Sequence, residues 1–141
     1  MTILIVDDEQ DILEFLSYSL KKEGYKVLTS NNGSSGLKLA KKHLPDLIIL
    51  DVMMPEMDGI TVCKEIRKDQ DLDKCLITFL TARSEEYSEL AGFNAGADDY
   101  IFKPIKPQLL VSRVNAILKR NRTQRLSNEI IIGNISINKD Q

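Results

Sequence analysis

Short apolar runs alternate along this chain with segments of helical periodicity, and four of the runs end in chemically active side chains. The runs and the residues that follow them are 3–6 with Asp7 and Asp8, 47–50 with Asp51, 76–80 with Thr81, and 99–102 with Lys103. Apolar runs of this length are typical of strands buried on both faces of a parallel sheet. Strands that alternate with helices build right-handed βαβ units.

The complete pattern predicts five strands and five helices. The strands are expected at 2–6, 25–29, 46–50, 75–80 and 98–102, and the helices at 9–23, 34–44, 60–69, 84–95 and 107–121. On the first helix, the apolar face is expected to hold Ile12, Leu13, Phe15, Leu16 and Leu20. Glycines at 24 and 96 follow two helices in the position of a left-handed cap. We therefore predict an α/β fold: a doubly wound, flavodoxin-like, five-stranded parallel sheet of order 2-1-3-4-5.

Composition restricts the class of protein. The chain has 141 residues, 43% of them hydrophobic and 28% charged, with a net charge of −2. This is a globular composition without the positive charge that nucleic-acid binding needs over a whole domain. No apolar stretch approaches the roughly 18 residues of a membrane helix, and no signal peptide is visible, so we expect a cytoplasmic protein with no membrane partner. Cys63 and Cys75 are expected to be reduced thiols.

Three carboxylates are expected at one edge of the sheet. The ends of strands 1 and 3 would bring Asp7, Asp8 and Asp51 together at the switch point of the strand order. The simpler alternative for Asp7 or Asp8 is a helix N-cap, but that leaves Asp51 unexplained. Because close carboxylates repel, a cation that neutralises them is favoured. Mg²⁺ binds through carboxylates, water and phosphate oxygens, so a Mg²⁺ site is predicted.

Asp51 can also act as a nucleophile, since carboxylates form covalent phosphoryl intermediates. Transfer requires charge to be spread over three phosphoryl oxygens, which Lys103 and the Thr81 hydroxyl can stabilise. The simpler alternatives are a solvated surface lysine at 103 and a helix N-cap at Thr81. The position of Lys103, directly after a buried strand and before Pro104, favours the catalytic role.

Together and in this order, five motifs resemble the receiver domain of bacterial two-component response regulators. The motifs are Val6-Asp7-Asp8-Glu9, Leu50-Asp51-Val52-Met53-Met54-Pro55 with Asp58-Gly59, Leu80-Thr81-Ala82, Gly96-Ala97-Asp98-Asp99-Tyr100, and Lys103-Pro104. The similarity covers residues 1–121. It implies that Asp51 accepts a phosphoryl group from a sensor histidine kinase, and that the domain is no enzyme beyond its own phosphorylation and dephosphorylation.

The same resemblance assigns roles to individual residues. Mg²⁺ would be held by Asp7, Asp8, Asp51 and the backbone carbonyl of Met53. Thr81 and Tyr100 would form a switch pair, with Tyr100 turning inward on phosphorylation. Lys103 would contact the phosphoryl group, with a cis bond to Pro104.

The C-terminal residues differ in character from the rest. We predict a linker at 122–128 and, at 129–141, the start of a truncated effector domain. This part resembles the winged-helix DNA-binding domain of OmpR/PhoB-like transcription regulators, so DNA would be bound only through the missing domain. The alternative is a stand-alone receiver or signalling adaptor that does not bind DNA.

That subfamily dimerises through its fourth helix, fifth strand and fifth helix. Asp99 and Arg113 match one of the charge pairs, but Glu89, Leu109 and Asn94 depart from the others. A weakened homodimer is therefore expected.

Three other functions are less consistent with the residues. A phosphatase with an aspartate nucleophile would need a second Asp two residues after the first, which Asp7-Asp8-Glu9 does not supply. A flavodoxin-like electron carrier would need a phosphate-binding loop where this chain is acidic. An inactive scaffold would be expected to lack Asp51 or Lys103.

Overall fold

The computed structural model describes residues 1–82 and 95–119. Within them, five strands form one parallel sheet of order β2-β1-β3-β4-β5. The strands are β1 (Thr2–Val6), β2 (Lys26–Ser30), β3 (Leu47–Asp51), β4 (Leu76–Ala82) and β5 (Asp99–Lys103). The helices before β5 are α1 (Gln10–Lys22), α2 (Gly33–His43), α3 (Gly59–Arg67) and a single 3-10 turn, Gln70–Leu72. The predicted fold class and strand order are confirmed.

The strands that carry the predicted site extend further than the apolar runs indicate. Asp51, Thr81 and Lys103 were expected just after their strands, but each lies within one. The reason is that backbone pairing continues past the last apolar residue: beyond β3, the Val52 N–H still donates to the Leu80 carbonyl at 3.2 Å. Pairing with a neighbouring strand therefore fixes the backbone of these site residues.

The two central strands are buried on both faces. All side chains of 3–6 and 47–50 are fully buried, as expected for a sheet covered by helices. On one face, α2 approaches β1 so closely that a Cβ at Gly36 would lie 2.8 Å from a Val6 methyl carbon. Glycine at 36 is thus a condition for this placement of α2 on the sheet.

The apolar stripe of α1 is narrower than its periodicity predicts. Leu13, Leu16 and Leu20 are buried, whereas Phe15 is 39% exposed. A helix that contacts the sheet along a single line buries only the positions facing that line. Phe15 therefore lies at the exposed margin of the predicted apolar face.

The remaining predictions fall on different parts of the chain. Gly24 and Gly96 have positive φ angles, as predicted, and Cys63 and Cys75 are buried free thiols.

Residues 1–107 form one compact unit, and a second begins at Gln108. The last described helix covers 107–119; its buried residues, spaced as on one helical face, are Leu110, Val114, Ile117 and Leu118. No helix among the described residues is both long and apolar enough to cross a bilayer.

Three further predictions lie outside the described residues: the helix at 84–95 apart from its last residue, the linker and the effector segment.

Replacing Thr78 with valine is expected to stabilise the protein. The Thr78 side chain is fully buried in β4, and its hydroxyl finds no hydrogen-bond partner among the described residues. Valine has nearly the same shape and removes the uncompensated polar group, so the free energy of unfolding should rise by about 1 kcal/mol. Urea denaturation measures this. The exposed Thr29→Val on β2 is the control, and an equal gain in both variants would contradict the explanation.

Candidate functional site

Three carboxylates meet at the carboxyl ends of β1 and β3. The register pairs Val6 with Leu50, which brings the following residues, Asp7 and Asp51, side by side. One oxygen from each of Asp7, Asp8 and Asp51 lies within 4.8 Å of the others. Asp7 and Asp51 are buried, whereas Asp8 is exposed. The predicted gathering of these side chains is thus present.

Lys103 reaches the same cluster from β5. Its Nζ lies 3.4 Å from Asp51 Oδ1 and 3.5 Å from Asp7 Oδ2. The register of β4 and β5 pairs Ala82 with Lys103, so the lysine stands level with the end of β4. The bond from Lys103 to Pro104 is cis, as the resemblance implied. The ammonium therefore lies among the carboxylates and is not a solvated surface group.

Burial and repulsion raise the proton affinity of the two buried carboxyls. Desolvation, followed by the charge of Asp7, raises the pKa of Asp51 from 3.8 to about 7, and Lys103 only partly opposes this. Desolvation also raises the pKa of Asp7. For Lys103, burial lowers the pKa, but the combined charges of Asp51, Asp7 and Glu9 outweigh it and raise the pKa. One ammonium is thus too little positive charge for this site.

The arrangement of Asp7 fits a divalent cation. Its Oδ1 accepts a hydrogen bond of 2.8 Å from the Glu9 N–H, but its buried Oδ2 has no hydrogen-bond donor among the described residues. Oδ2 lies within ion-pair distance of Lys103 without hydrogen-bond geometry. A buried anionic oxygen of this kind is costly unless a cation binds it. All the ligand atoms on offer are oxygens, which Mg²⁺ prefers.

The main chain of Asp51 is held by a close approach from α3. A Cβ at Gly59 would overlap the Asp51 carbonyl oxygen, so only glycine fits there. The Gly59 N–H donates to the Val52 carbonyl at 2.9 Å, and the Asp58 side chain caps α3 by accepting from the Thr61 N–H. The Asp58-Gly59 motif therefore fixes the loop that follows Asp51.

An open cavity of about 380 Å³ lies over the cluster. Its lining residues are Asp8, Glu9, Asp51, Met53, Ala82 and Lys103. Met53, the predicted carbonyl ligand, is 62% exposed here, and its N–H approaches Asp51 Oδ1 at 3.4 Å. An anion entering this cavity reaches the Asp51 carboxylate and the Lys103 ammonium together.

The two predicted switch residues are both buried. Thr81 lies next to Ala82 in β4, and its hydroxyl is 3.4 Å from the Ala82 carbonyl. Tyr100 is only 6% exposed, and its ring centroid lies 5.8 Å from that of Phe79. Tyr100 already points inward because its ring packs into the main hydrophobic cluster. A change of its position on phosphorylation stays a prediction.

Glu9 is the site residue to which sequence reasoning assigned no role. Its Oε2 lies 3.8 Å from Lys103 Nζ, and it lines the cavity. The only signal in the sequence was a third acid directly after Asp7-Asp8.

Comparisons with known proteins agree with this geometry. Residues 3–115 match the family model of the response regulator receiver domain. The alkaline phosphatase synthesis transcriptional regulatory protein PhoP of Bacillus subtilis is 41% identical over 98% of this chain. The chain spans only 60% of the length of that relative.

Solved structures show the same fold. A two-component response regulator from Clostridium difficile superposes with a TM-score of 0.79 at 32% identity, covering 85% of this chain and 97% of its own. The chemotaxis protein CheY4 of Vibrio cholerae gives a TM-score of 0.78 at 31% identity, covering 82% and 96%. The similarity thus extends over nearly the whole of these two chains.

Proposed function

Because the chain belongs to the response regulator receiver family, we propose that Asp51 accepts a phosphoryl group from a sensor histidine kinase. The observation that carries the proposal is the pair formed by buried Asp51 and half-buried Lys103, which lie 3.4 Å apart and both line an open cavity with further acidic residues. The matching family supports a histidine kinase as the donor, and the site geometry supports Asp51 as the acceptor.

The reaction is a transfer between two nucleophiles. An Asp51 carboxylate oxygen attacks phosphorus, the bond from phosphorus to the histidine nitrogen breaks, and the imidazole leaves as the neutral ring after taking up a proton. The product is an acyl phosphate on Asp51. Because the pKa of Asp51 lies at about 7, the attacking carboxylate is only partly ionised near neutral pH in the metal-free protein.

Other residues of the site would bind the metal ion and contact the phosphoryl oxygens. Asp7, Asp8, Asp51 and the Met53 carbonyl would hold Mg²⁺, which supplies positive charge to the carboxylates and phosphoryl oxygens. Lys103 would turn from Asp51 to a phosphoryl oxygen, and Thr81, which is paired with Phe102 one residue before the end of β4, would donate its hydroxyl to another. The domain would thus act only on itself, with no other substrate.

The consequence of phosphorylation would be a change of surface. On phosphorylation, the Thr81 hydroxyl would move toward the phosphoryl group and leave its present position in β4. Tyr100, in the neighbouring strand β5, would change position together with it. Such a change needs differential stabilisation of two states. We propose that this surface change controls homodimerisation through Asp99 and Arg113. The dimer is expected to be weak, as argued from the sequence.

The output is proposed from the relative. PhoP is named as a transcriptional regulatory protein, and its similarity supports an OmpR/PhoB-like receiver. We therefore propose that this receiver, in the cytoplasm, controls a DNA-binding effector domain. A stand-alone receiver or adaptor is the alternative, and the residues encoded after Gln141 would distinguish them.

Acetyl phosphate with Mg²⁺ is expected to add one phosphoryl group to the protein. The adduct should be absent with excess chelator and should be released by hydroxylamine, which cleaves acyl phosphates. Intact-mass spectrometry measures it, with Asp51→Asn as the unlabelled control. A full adduct on Asp51→Asn, or on the chelated wild type, would contradict the assignment.

Mg²⁺ is expected to stabilise the fold by relieving repulsion among Asp7, Asp8 and Asp51. At about 100 times its dissociation constant, a ligand of the folded state adds roughly 2.7 kcal/mol. Melting curves should therefore shift upward with Mg²⁺ in the wild type and much less in Asp8→Ala. Asp11→Ala, on exposed α1 surface, is the control. Equal shifts in all three proteins would place the metal elsewhere.

A further inference from the structure

Glu9 is the one carboxylate around Lys103 that the proposed metal site does not use. Lys103 Nζ lies 3.4 Å from Asp51, 3.5 Å from Asp7 and 3.8 Å from Glu9. A divalent cation held by Asp7 and Asp51 would neutralise two of these partners. Among the described residues, Glu9 then remains as the carboxylate that still attracts the ammonium.

The backbone of Glu9 is fixed while its side chain is turned toward the cavity. Its N–H donates to Asp7 Oδ1 at 2.8 Å, which ties its position to a proposed metal ligand. Glu9 is the N-cap residue of α1, yet its side chain makes no capping hydrogen bond. The side chain is 54% exposed and lies at the cavity edge.

We propose that Glu9 is a positioning and selectivity residue: it holds Lys103 away from the phosphoryl position and disfavours highly charged small phosphodonors. This inference rests on the function proposed above. Lys103 must leave Glu9 to bind the transferred group, so the Glu9 charge opposes that step. The same charge repels an anionic donor as it enters the cavity.

Charge balance shows why this single residue matters. With a divalent cation bound and all groups ionised, four carboxylates and one ammonium leave the site with a net charge of about −1. Removing the charge of Glu9 brings the site to about zero. The loss of this repulsion should speed labelling more for a doubly charged donor such as acetyl phosphate than for singly charged phosphoramidate.

The test compares Glu9→Gln with wild type, using Glu14→Gln as the matched control. Glu14 is an exposed acid on the same helix that accepts a hydrogen bond from Gln10 and does not line the cavity. At saturating Mg²⁺ and low salt, labelling of Glu9→Gln by acetyl phosphate should be faster by roughly twofold to fivefold, the range expected for an exposed ion pair. The gain with phosphoramidate should be smaller, and added salt should narrow both differences.

Mg²⁺ affinity supplies a readout that does not depend on labelling. Calorimetry should show weaker Mg²⁺ binding to Glu9→Gln than to wild type, because a nearby negative charge is lost. Faster labelling together with weaker metal binding is a combination that a merely structural role would not produce. Glu14→Gln should match wild type in both measurements.

Two kinds of failure can be told apart. Unchanged or slower labelling of Glu9→Gln, with wild type labelled normally, overturns the role of Glu9 and leaves the phosphoryl acceptor intact. An equal gain with both donors overturns the selectivity. If wild type itself takes no label, the proposed function fails, and the role of Glu9 fails with it.

Discussion

The metal-free protein is expected to lose stability as the pH rises from about 5 to about 8, and Asp51→Asn is expected to remove most of that loss. The pKa of Asp51 is raised from 3.8 to about 7 in the folded state, mainly by burial and then by the charge of Asp7. A raised carboxyl pKa means that the folded state binds the proton more tightly than the unfolded state does. The stability that the tighter-bound proton of Asp51 gives the folded state is fully present below pH 4 and is lost as the pH rises through about 7.

The expected size of this loss is about 3 kcal/mol between pH 5 and pH 8, as linkage gives for one group with this shift. Urea unfolding in the presence of chelator measures the change. Asp51→Asn cannot ionise, so it should be more stable than wild type at pH 8. Asp73→Asn, an exposed acid beyond the 3-10 turn, should keep the full pH dependence. If the free energy of unfolding changed with pH in the same way in wild type and Asp51→Asn, ionisation of Asp51 would not be the cause of the loss.

Arg67→Ala is expected to destabilise the fold by about 3 kcal/mol, because one guanidinium joins three segments. Nε donates to the Gly96 carbonyl at 2.9 Å, Nη1 to the Cys75 carbonyl at 2.7 Å, and Nη2 to Asp98 Oδ2 at 2.8 Å. The same Asp98 oxygen accepts from the Ile77 N–H at 2.8 Å. Arg67 thus ties the end of α3 to the start of both β4 and β5.

The adjacent Lys68 provides the control for Arg67. It forms an exposed ion pair of 2.9 Å with Glu65, and its loss should cost no more than about 0.5 kcal/mol. Arg67→Lys should recover only part of the loss, since a single ammonium cannot reach three fixed acceptors. Urea midpoints with unchanged slopes measure all three variants. Equal losses in Arg67→Ala and Lys68→Ala would show that the network contributes little.

The sequence by itself determined where the carboxylates lie in the fold. Apolar runs and helical periodicity are local patterns, and together with right-handed crossovers they predict a parallel sheet with a known strand order. The end of each strand then locates Asp7, Asp51 and Lys103 at one edge. The family motifs added the expected roles of these residues.

Only the tertiary structure decided which side chains meet across that edge and how deeply each is buried. The contact between Glu9 and Lys103 and the bonds from Arg67 to Gly96 and Asp98 join residues far apart in sequence. The bond from Arg67 to Cys75 and the fit of Gly59 against Asp51 span fewer residues, but they too depend on the folded backbone. The burial of Tyr100 and the exposure of Phe15 likewise follow from where neighbouring elements lie. Periodicity reports which face of an element is apolar, but the register of the strands and the approach of the helices set these distances.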